Sequence, residues 1–291
     1  CVDLGIDHID TSNVYGAGTS ESRIGAFLSK QGRAAGSMFK IATKAGITKH
    51  PDTGERCFNN AAEHLEEELD KSLSRLGIDC VDLFYVHRRE QARDIEEVTE
   101  SLALLVKKGK TKHIGFSEIA PDSLRRASKI HHIAAVQSEY SLSTRAAELG
   151  LTQACAELGT ALVAFSPVGR TFLTDTPMPY DTGQELPFTK NNPRFMQPNY
   201  TANIARTDKF RSYAADNNMA AATLAIAWLL NKGEHILPIP GTRSVDHLSE
   251  VAAAMSVSLS AEMMAEIETM LPVGWAAGDR YSVAQWIGPE R

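Results

Sequence analysis

Four residues, Asp10, Tyr15, Lys44 and His87, combine side chains that could act together on a carbonyl group. Each lies at or just after the end of a short apolar run that is typical of a β-strand. If these strands are parallel neighbours, their carboxyl ends share one edge of a sheet and the four side chains meet there. A lysine ammonium beside a phenol favours the phenolate, which makes that phenol a better proton donor. The set therefore suits carbonyl reduction.

Apolar runs alternate with helical patterns along the chain. Strands are predicted over 6–11, 39–44, 81–87, 111–117, 134–139, 161–166 and 236–240, because these runs are apolar without strict alternation. Helices are predicted over 60–76, 95–108, 207–217 and 220–232, with one opening at Pro121 and one near Val245. The proline-rich segment 171–203 breaks this rhythm and is predicted to be a long functional loop.

Seven βα repeats without an internal boundary predict an α/β fold, a (β/α)8 TIM barrel built as one domain over residues 1–291. A barrel of this type has eight strands, so we expect the first strand to lie upstream of residue 1. The alternative fold is an open doubly wound sheet, whose dinucleotide-binding form needs G-x-G-x-x-G after a strand. The nearest candidate is Gly16-Ala17-Gly18, and Glu21 stands in place of its third glycine.

Composition points away from several kinds of partner. The 291 residues include 30 basic and 36 acidic side chains, without a long run of like charge, so we expect neither nucleic acid nor a membrane surface as partner. The apolar stretch 219–230 is too short to span a bilayer and is predicted to be a buried helix. The four cysteines match no zinc or disulfide framework, so we expect no metal site and a reduced, cytoplasmic protein.

Seven motifs give the chain a strong resemblance to the aldo-keto reductases. They are D-T-S-N-V-Y-G, I-A-T-K, Y-V-H, I-G-F-S-E, V-Q-S-E-Y, A-F-S-P-V-G-R and I-P-G-T-R-S, in the order that the family shows. Within the superfamily, S-E-Y-S-L and the proline-rich segment resemble the bacterial, plant and fungal reductases related to pyridoxal reductase. The resemblance implies a (β/α)8 barrel that binds NADPH in an extended form without a Rossmann domain.

The resemblance also implies a role for each of the four residues. Tyr15 would be the general acid, and Lys44 would lie beside its oxygen. Asp10 would pair with Lys44 and hold it in place. His87 would form a hydrogen bond with the substrate carbonyl and orient it.

The same resemblance implies a cofactor site for NADPH or NADP+. Its residues would be Ser117, Glu118 and Gln137 at the nicotinamide amide, Phe165 stacked on the ring, and Ser166, Pro167, Gly169 and Arg170 along the pyrophosphate. Two positions depart from the common pattern. Asn is more usual at Glu118, and an ionised glutamate accepts hydrogen bonds but cannot donate them. Tyr is common at Phe165, but stacking needs only the ring.

A second anion site is predicted at Gly241, Thr242 and Arg243, which precede a helix. Backbone N–H groups at a helix start and an arginine together bind anions. In the family this is the place of the 2′-phosphate, with Glu250 as an adenine contact and His247 where some branches have arginine. The alternative is an ordinary helix cap formed by Ser244.

Two functions remain open from the sequence. The first is an NADPH-dependent oxidoreductase that reduces a small-molecule aldehyde or ketone to an alcohol. The second is a regulatory NADPH-binding subunit that resembles the β-subunits of potassium channels, which can keep the same four residues. The residues leave both the substrate and the oligomeric state undefined.

Overall fold

The computed structural model of the chain describes residues 1–32 and 38–290. Its strands are β1 (His8–Asp10), β2 (Lys40–Ala45), β3 (Ile47–Lys49), β4 (Arg56–Phe58), β5 (Val81–Val86), β6 (Thr111–Ser117), β7 (Ala135–Glu139), β8 (Ala161–Phe165) and β9 (Ile236–Pro238). Its α-helices are α1 (Thr19–Gln31), α2 (Ala62–Leu76), α3 (Ile95–Lys107), α4 (Pro121–Ser128), α5 (Leu151–Leu158), α6 (Tyr180–Glu185), α7 (Asn199–Asp216), α8 (Ala221–Leu230), α9 (Val245–Ala253) and α10 (Ala261–Met270). Strands and helices alternate along most of the chain, as the sequence predicts.

Seven of these strands form one sheet in the order β1-β2-β5-β6-β7-β8-β9. The strand pairs β1–β2, β2–β5, β5–β6, β6–β7 and β8–β9 are all parallel. Because the order in the sheet follows the order in the chain, each crossover leads to the neighbouring strand, as in repeated βα units. The predicted parallel α/β class is therefore confirmed.

The hairpin of β3 and β4 is absent from the predicted elements. Its antiparallel strands pair Ile47 with Phe58 and Lys49 with Arg56. Each strand has three residues, and the run between them is polar with a glycine turn, so neither strand shows an apolar period that a sequence pattern could reveal. Gly54 takes a φ of 70° in this turn.

The segment 171–203, predicted to be a loop, contains helical structure. It holds α6, a 3-10 helix over Pro193–Phe195 and the first residues of α7. Pro193 occupies the first turn of the 3-10 helix, and the Asn192 side chain caps it by accepting the Arg194 N–H. Prolines suggest a loop in the sequence, but a proline fits the first turn of a helix, where its missing N–H is not needed.

The chain divides into two compact units. Unit 1 comprises Cys1–Gln137, Gln153–Ala161 and the segment from Gly288, and unit 2 comprises Ser138–Thr152 and Leu162–Ile287. In unit 1, α2 buries Leu65, Leu69 and Leu76 completely. Their spacing places them on one helix face, and Gly77 ends the helix with a φ of 68°.

A buried polar link in unit 1 joins α1, β2 and α2. Glu21 of α1 has no exposed surface and accepts a hydrogen bond from the Thr43 hydroxyl of β2. Arg75, near the end of α2, donates to the other oxygen of Glu21 over 2.6 Å. The two donors satisfy a carboxylate that would otherwise be costly to bury. Thr43 directly precedes Lys44, so this link fixes the strand that carries the lysine.

The core of unit 2 is built around α8. Nine of its ten residues are buried, which confirms the helix predicted over the apolar stretch. Trp228 packs edge-on against Tyr140 with 5.7 Å between ring centroids, and its Nε1 donates to Glu268 over 3.2 Å. Among the helices of residues 1–32 and 38–290, none combines the length and hydrophobicity needed to cross a bilayer.

The four cysteines, Cys1, Cys57, Cys80 and Cys155, are free thiols. Burial raises the pKa of Cys155 to about 12 and also raises that of Cys80. Within the described part of the chain, no group of histidine, cysteine and carboxylate side chains converges in a way that could hold a metal ion.

Candidate active site

Three neighbouring strands of unit 1 bring the four predicted catalytic residues to one edge of the sheet. Asp10 ends β1, Lys44 is the next-to-last residue of β2, and His87 directly follows β5. The register pairs Lys44 with Tyr85, so the two side chains are direct neighbours. The His87 N–H donates to Ala45 O over 2.8 Å, which continues the ladder past the end of β5. The predicted convergence thus follows from the parallel register.

Lys44 is completely buried and is held by acceptors at the end of β1 and directly after it. Its Nζ donates to Asp10 Oδ1 and, over 2.7 Å, to Thr11 O. The same Nζ lies 5.0 Å from the centre of the Tyr15 ring and 5.9 Å from that of Tyr85. An ammonium has three protons, so these two acceptors leave one for a third partner. The lysine is therefore a fixed positive charge beside two phenols.

Asp10 is satisfied on both carboxylate oxygens. Lys44 binds Oδ1, and the amide of Gln137 donates to Oδ2 over 2.8 Å. The Asp10 side chain is 9% exposed, and a carboxylate this buried is stable only when it is paired and hydrogen-bonded. Gln137, predicted as a cofactor contact, therefore holds the side chain of Asp10.

Tyr15 lies in the loop between β1 and α1. Hydrogen bonds of Tyr15 itself and of its neighbour Asn13 hold this loop in place. Its side chain is 40% exposed, and its ring meets the His87 ring edge-on at 5.8 Å. The Tyr15 N–H donates to Ser12 O over 3.1 Å. The Asn13 amide donates to Glu68 of α2 over 2.7 Å. The phenol is thus accessible while its backbone is fixed.

His87 is buried, and one of its two ring nitrogens lies beside a polar side chain. Its Nδ1 lies 3.1 Å from the Ser12 hydroxyl. Burial, followed by the positive charges of Lys44 and Arg88, lowers the pKa of His87 well below 6.5. The imidazole is therefore neutral near pH 7, and a neutral imidazole carries one donor and one acceptor nitrogen.

The predicted nicotinamide residues of unit 1 also lie together. Ser117 ends β6 and pairs with Gln137 of β7, and the Glu118 N–H donates to Gln137 O over 2.9 Å. The four residues Asp10, Tyr15, Lys44 and His87 are called the tetrad below. Arg88 bridges the nicotinamide residues to the tetrad, because its guanidinium donates to His87 O and to the Ser117 hydroxyl. Glu118 is buried, has a left-handed φ of 58°, and its carbonyl accepts the Glu290 N–H over 2.8 Å.

In unit 2, the predicted pyrophosphate residues follow β8 in a strongly turned segment. Phe165 ends β8, and Ser166, Gly169 and Arg170 all have left-handed φ values, 52°, 59° and 54°. A Cβ at Gly169 would lie 2.8 Å from Ser143 Oγ, so only glycine fits there without a shift. Pro167 lies inside the same turn.

Arg170 is held by the protein itself. Its guanidinium donates to Glu139 and, over 2.7 Å, to Arg280 O. It also lies 4.7 Å from the centre of the Phe188 ring and 5.3 Å from that of Tyr281. These partners come from three separate segments of unit 2, so Arg170 fixes the turn after β8 whatever it contacts in a ligand.

The second predicted anion site lies at the start of α9. The Ser244 side chain caps the helix by accepting the His247 N–H over 3.3 Å, and the Thr242 hydroxyl accepts the Ser244 N–H over 3.1 Å. Gly241 and Arg243 are exposed, and Glu250 offers its carbonyl to the Thr223 hydroxyl over 2.7 Å. The cap considered as an alternative is therefore formed, and it leaves the Arg243 side chain in solvent.

Three contributors to the site are not predicted from the sequence. Ser12 reaches His87, Thr11 offers its carbonyl to Lys44, and Arg88 bridges His87 and Ser117. Ser12 and Thr11 lie inside the D-T-S-N-V-Y motif, and Arg88 directly follows His87. Proximity in sequence to a predicted site residue could have pointed to these three. Beyond the end of a strand, however, side chains no longer alternate between two faces, so their directions cannot be predicted from the sequence.

A parallel α/β sheet with a buried Asp–Lys pair, a phenol and an imidazole at one edge is the arrangement expected of an aldo-keto reductase. A model of the "Aldo/keto reductase family" matches residues 1–272 of the chain. The chain therefore belongs to the aldo/keto reductase family, and the family predicted from the motifs is confirmed.

Two curated relatives match almost the whole chain. The Schizosaccharomyces pombe protein named aldo-keto reductase yakc, whose name specifies NADP(+), is 39% identical over 282 residues, which is 96% of this chain and 82% of the relative. The Glycine max protein named probable aldo-keto reductase 1 is 37% identical over 281 residues, 95% of this chain and 79% of the relative.

Solved structures show the same fold. A glycerol dehydrogenase from Gluconobacter oxydans has a TM-score of 0.80 at 25% identity, covering 92% of this chain and 82% of that chain. A thermostable aldo-keto reductase in complex with the inhibitor epalrestat has a TM-score of 0.72 at 25% identity, covering 92% and 84%. The parallel sheet is thus consistent with the (β/α)8 barrel of the family.

Proposed function

We propose that this aldo/keto reductase uses NADPH to reduce a small-molecule aldehyde or ketone to an alcohol. The observation that carries the proposal is the meeting of Asp10, Tyr15, Lys44 and His87 at one edge of the sheet in unit 1. Reduction adds a hydride to the carbonyl carbon and a proton to its oxygen. The bound cofactor supplies the hydride, and the four side chains handle the proton and the carbonyl oxygen.

Tyr15 is the proton donor in this proposal. Its phenol is exposed and lies beside the Lys44 ammonium, which stabilises the negative charge left on the phenolate when the proton moves to the substrate. Lys44 can do this repeatedly, because Asp10 and Thr11 O hold it in one place. The aspartate thus positions the lysine, and the lysine assists the tyrosine.

His87 orients the carbonyl oxygen. Its ring lies edge-on to Tyr15 at 5.8 Å, so both side chains can reach one oxygen atom. Because the imidazole is neutral, it offers a hydrogen bond without competing with Tyr15 as a proton source. A carbonyl oxygen between a phenol and an imidazole is polarised in the direction that reduction requires.

The donor set fits NADPH. Ser117 and Gln137 are buried polar side chains next to the tetrad, suited to hold an amide such as that of nicotinamide. The capped start of α9 offers backbone N–H groups, and the exposed guanidinium of Arg243 is adjacent to it, which suits a phosphate. We therefore propose Phe165, Ser166, Pro167, Gly169, Arg170, Gly241, Thr242, His247, Glu250 and Glu118 as further contacts.

The relatives and motifs support a finer placement. We infer that the chain belongs to the branch of bacterial, plant and fungal reductases related to pyridoxal reductase. The S-E-Y-S-L motif and similarity to fission yeast and soybean proteins support this inference.

We also propose a cytoplasmic location, in keeping with four free thiols.

The decisive experiment is a screen of NADPH oxidation over pyridoxal, simple aromatic aldehydes and sugars. We expect turnover on at least one aldehyde class and formation of the matching alcohol. Tight NADPH binding without turnover on any of them would contradict the proposal and favour a regulatory subunit. Loss of binding as well would contradict both functions.

A further inference from the structure

The position of one proton on His87 decides what this residue can offer a substrate. Among the described residues, its only hydrogen-bond partner through the side chain is the Ser12 hydroxyl, 3.1 Å from Nδ1. Nε2 makes no hydrogen bond within the same residues, so it is the atom that remains for a carbonyl. A neutral imidazole carries its proton on one nitrogen only, so Nε2 donates if Nδ1 accepts, and accepts if Nδ1 donates.

Ser12 has one hydroxyl proton and three acceptors within reach. They are His87 Nδ1 at 3.1 Å, Lys44 O at 3.3 Å and Asn13 Oδ1 at 3.3 Å. Lys44 O already accepts the Asn13 N–H over 3.2 Å, and Nδ1 is the nearest of the three acceptors to the hydroxyl. The Val14 N–H approaches Ser12 Oγ at 3.4 Å, so the hydroxyl can accept from Val14 while it donates to the imidazole.

We infer that Ser12 is a positioning residue for carbonyl reduction: its hydroxyl donates to His87 Nδ1 and keeps the imidazole proton on Nε2, facing the substrate oxygen. The inference rests on the proposed role of His87. In the opposite tautomer, Nε2 would present a lone pair to the lone pairs of a carbonyl oxygen, which repels the substrate. Ser12 therefore sets the direction of the hydrogen bond that orients the substrate, without touching the substrate itself.

The tautomer can be measured without any substrate. Long-range 1H–15N correlation spectra of protein labelled at the histidine nitrogens distinguish a protonated ring nitrogen from a bare one. Comparison with His87→Gln assigns the His87 signals. We expect a protonated Nε2 and a bare Nδ1 at pH 7.5. A protonated Nδ1 would overturn the inference, whether or not a substrate has been found, so this result is separate from the fate of the proposed function.

Two variants test the consequence for turnover. Ser12→Ala leaves Nδ1 unpaired, so we expect signals of both tautomers and a kcat lower by about tenfold, the rate equivalent of one hydrogen bond, with NADPH Kd unchanged. Ser12→Thr restores a hydroxyl and should recover the Nε2 tautomer and most of the rate. An unaltered tautomer and kcat in Ser12→Ala would overturn the inference.

Ser72→Ala is the matched control. Ser72 is as buried as Ser12 and its hydroxyl accepts from Arg75 over 3.2 Å in α2. The Ser72→Ala substitution should leave the His87 signals and kcat unchanged. An equal fall in kcat in both alanine variants would assign the effect to lost stability and overturn the role of Ser12. If Ser12→Thr does not fold, the wild-type spectrum still decides the tautomer.

Discussion

At the scale of single residues, two phenols lie near Lys44 but only one can meet a substrate. Tyr85 is completely buried, and burial together with the charge of Asp10 raises its pKa well above 10. Tyr15 is 40% exposed and lies against His87. Exposure and the neighbouring imidazole, rather than distance to the lysine alone, support Tyr15 as the proposed donor.

Replacement of the donor should therefore separate chemistry from binding. We expect Tyr15→Phe to lower kcat by about a hundredfold or more, a usual size for the loss of a general acid, because phenylalanine has no proton to give. NADPH affinity should barely change. Steady-state kinetics and fluorescence titration measure the two quantities. Tyr213→Phe, on α7 of unit 2, is the control and should keep the wild-type rate. Near-normal turnover by Tyr15→Phe would refute the assignment.

Arg243 allows a second test at this scale, directed at the choice of cofactor. Its exposed side chain adjoins the capped start of α9, where a 2′-phosphate would be neutralised. We expect Arg243→Ala to weaken NADPH binding by about tenfold to hundredfold, as loss of a charge-assisted hydrogen bond does, and to leave NADH binding nearly unchanged. Equal losses for both nucleotides, measured by titration, would show that Arg243 does not contact the 2′-phosphate.

At the scale of elements, the Glu21 link shows how helices fix the strand beneath the lysine. Glu21 is completely buried, and Arg75 and Thr43 are its donors. Arg75→Ala would leave a buried carboxylate without its cation, so we expect the free energy of unfolding to fall by about 3 kcal/mol. Urea denaturation measures the change.

A control for this link is the exposed pair of Arg126 and Glu96 between α4 and α3. Because both side chains remain in contact with water, Arg126→Ala should change the free energy of unfolding much less. If the two substitutions lowered the free energy of unfolding equally, the buried link would contribute no more to stability than the exposed pair.

The elements also show what a sequence can predict here. The tetrad and the parallel strands were predictable, because apolar runs of buried strands are long enough to recognise and catalytic residues follow their ends. The β3–β4 hairpin and α6 were not, because each has only three to six residues per element and no apolar period. Arg170 shows the limit at the site itself: its position was predictable, but its bond to Glu139 depends on segments distant in sequence.

Glu118 stands where the family more commonly has asparagine, and the backbone conformation at this position shows why asparagine is favoured. Its φ of 58° lies in the left-handed region, which asparagine tolerates better than most residues. The asparagine that the family more commonly has at this position therefore suits the backbone as well as the amide of a ligand. A motif comparison reveals the substitution but not the dihedral angle behind it.

At the scale of the whole molecule, the half-buried His8 and the buried His87 link stability to pH. Burial lowers the pKa of His8 below 6.5 and, with nearby positive charges, that of His87 well below 6.5. Both regain the ordinary value when the chain unfolds, so the unfolded state binds more protons just below pH 6.5. Stability is therefore full above that pH and falls as the pH decreases, by up to about 1.4 kcal/mol per pH unit for each histidine.

Urea denaturation at pH 7.5, 6.5 and 5.5 measures this dependence, above the range in which most carboxylates titrate. We expect the free energy of unfolding to decrease across the series and His8→Phe to flatten it. His113→Gln, which alters an exposed histidine, should leave the slope unchanged. A stability that stays constant or rises toward pH 5.5 would contradict the argument.

The distribution of the proposed roles along the chain has a consequence for inheritance. The proposed catalytic tetrad lies between residues 10 and 87, in unit 1, whereas Arg243 and the capped start of α9 belong to unit 2. A single recombination crossover between related genes, placed after the codon for residue 87, could therefore pass on the proton chemistry with a different preference for the 2′-phosphate. Selection on nucleotide use and selection on the reaction would then act on separately exchangeable gene segments.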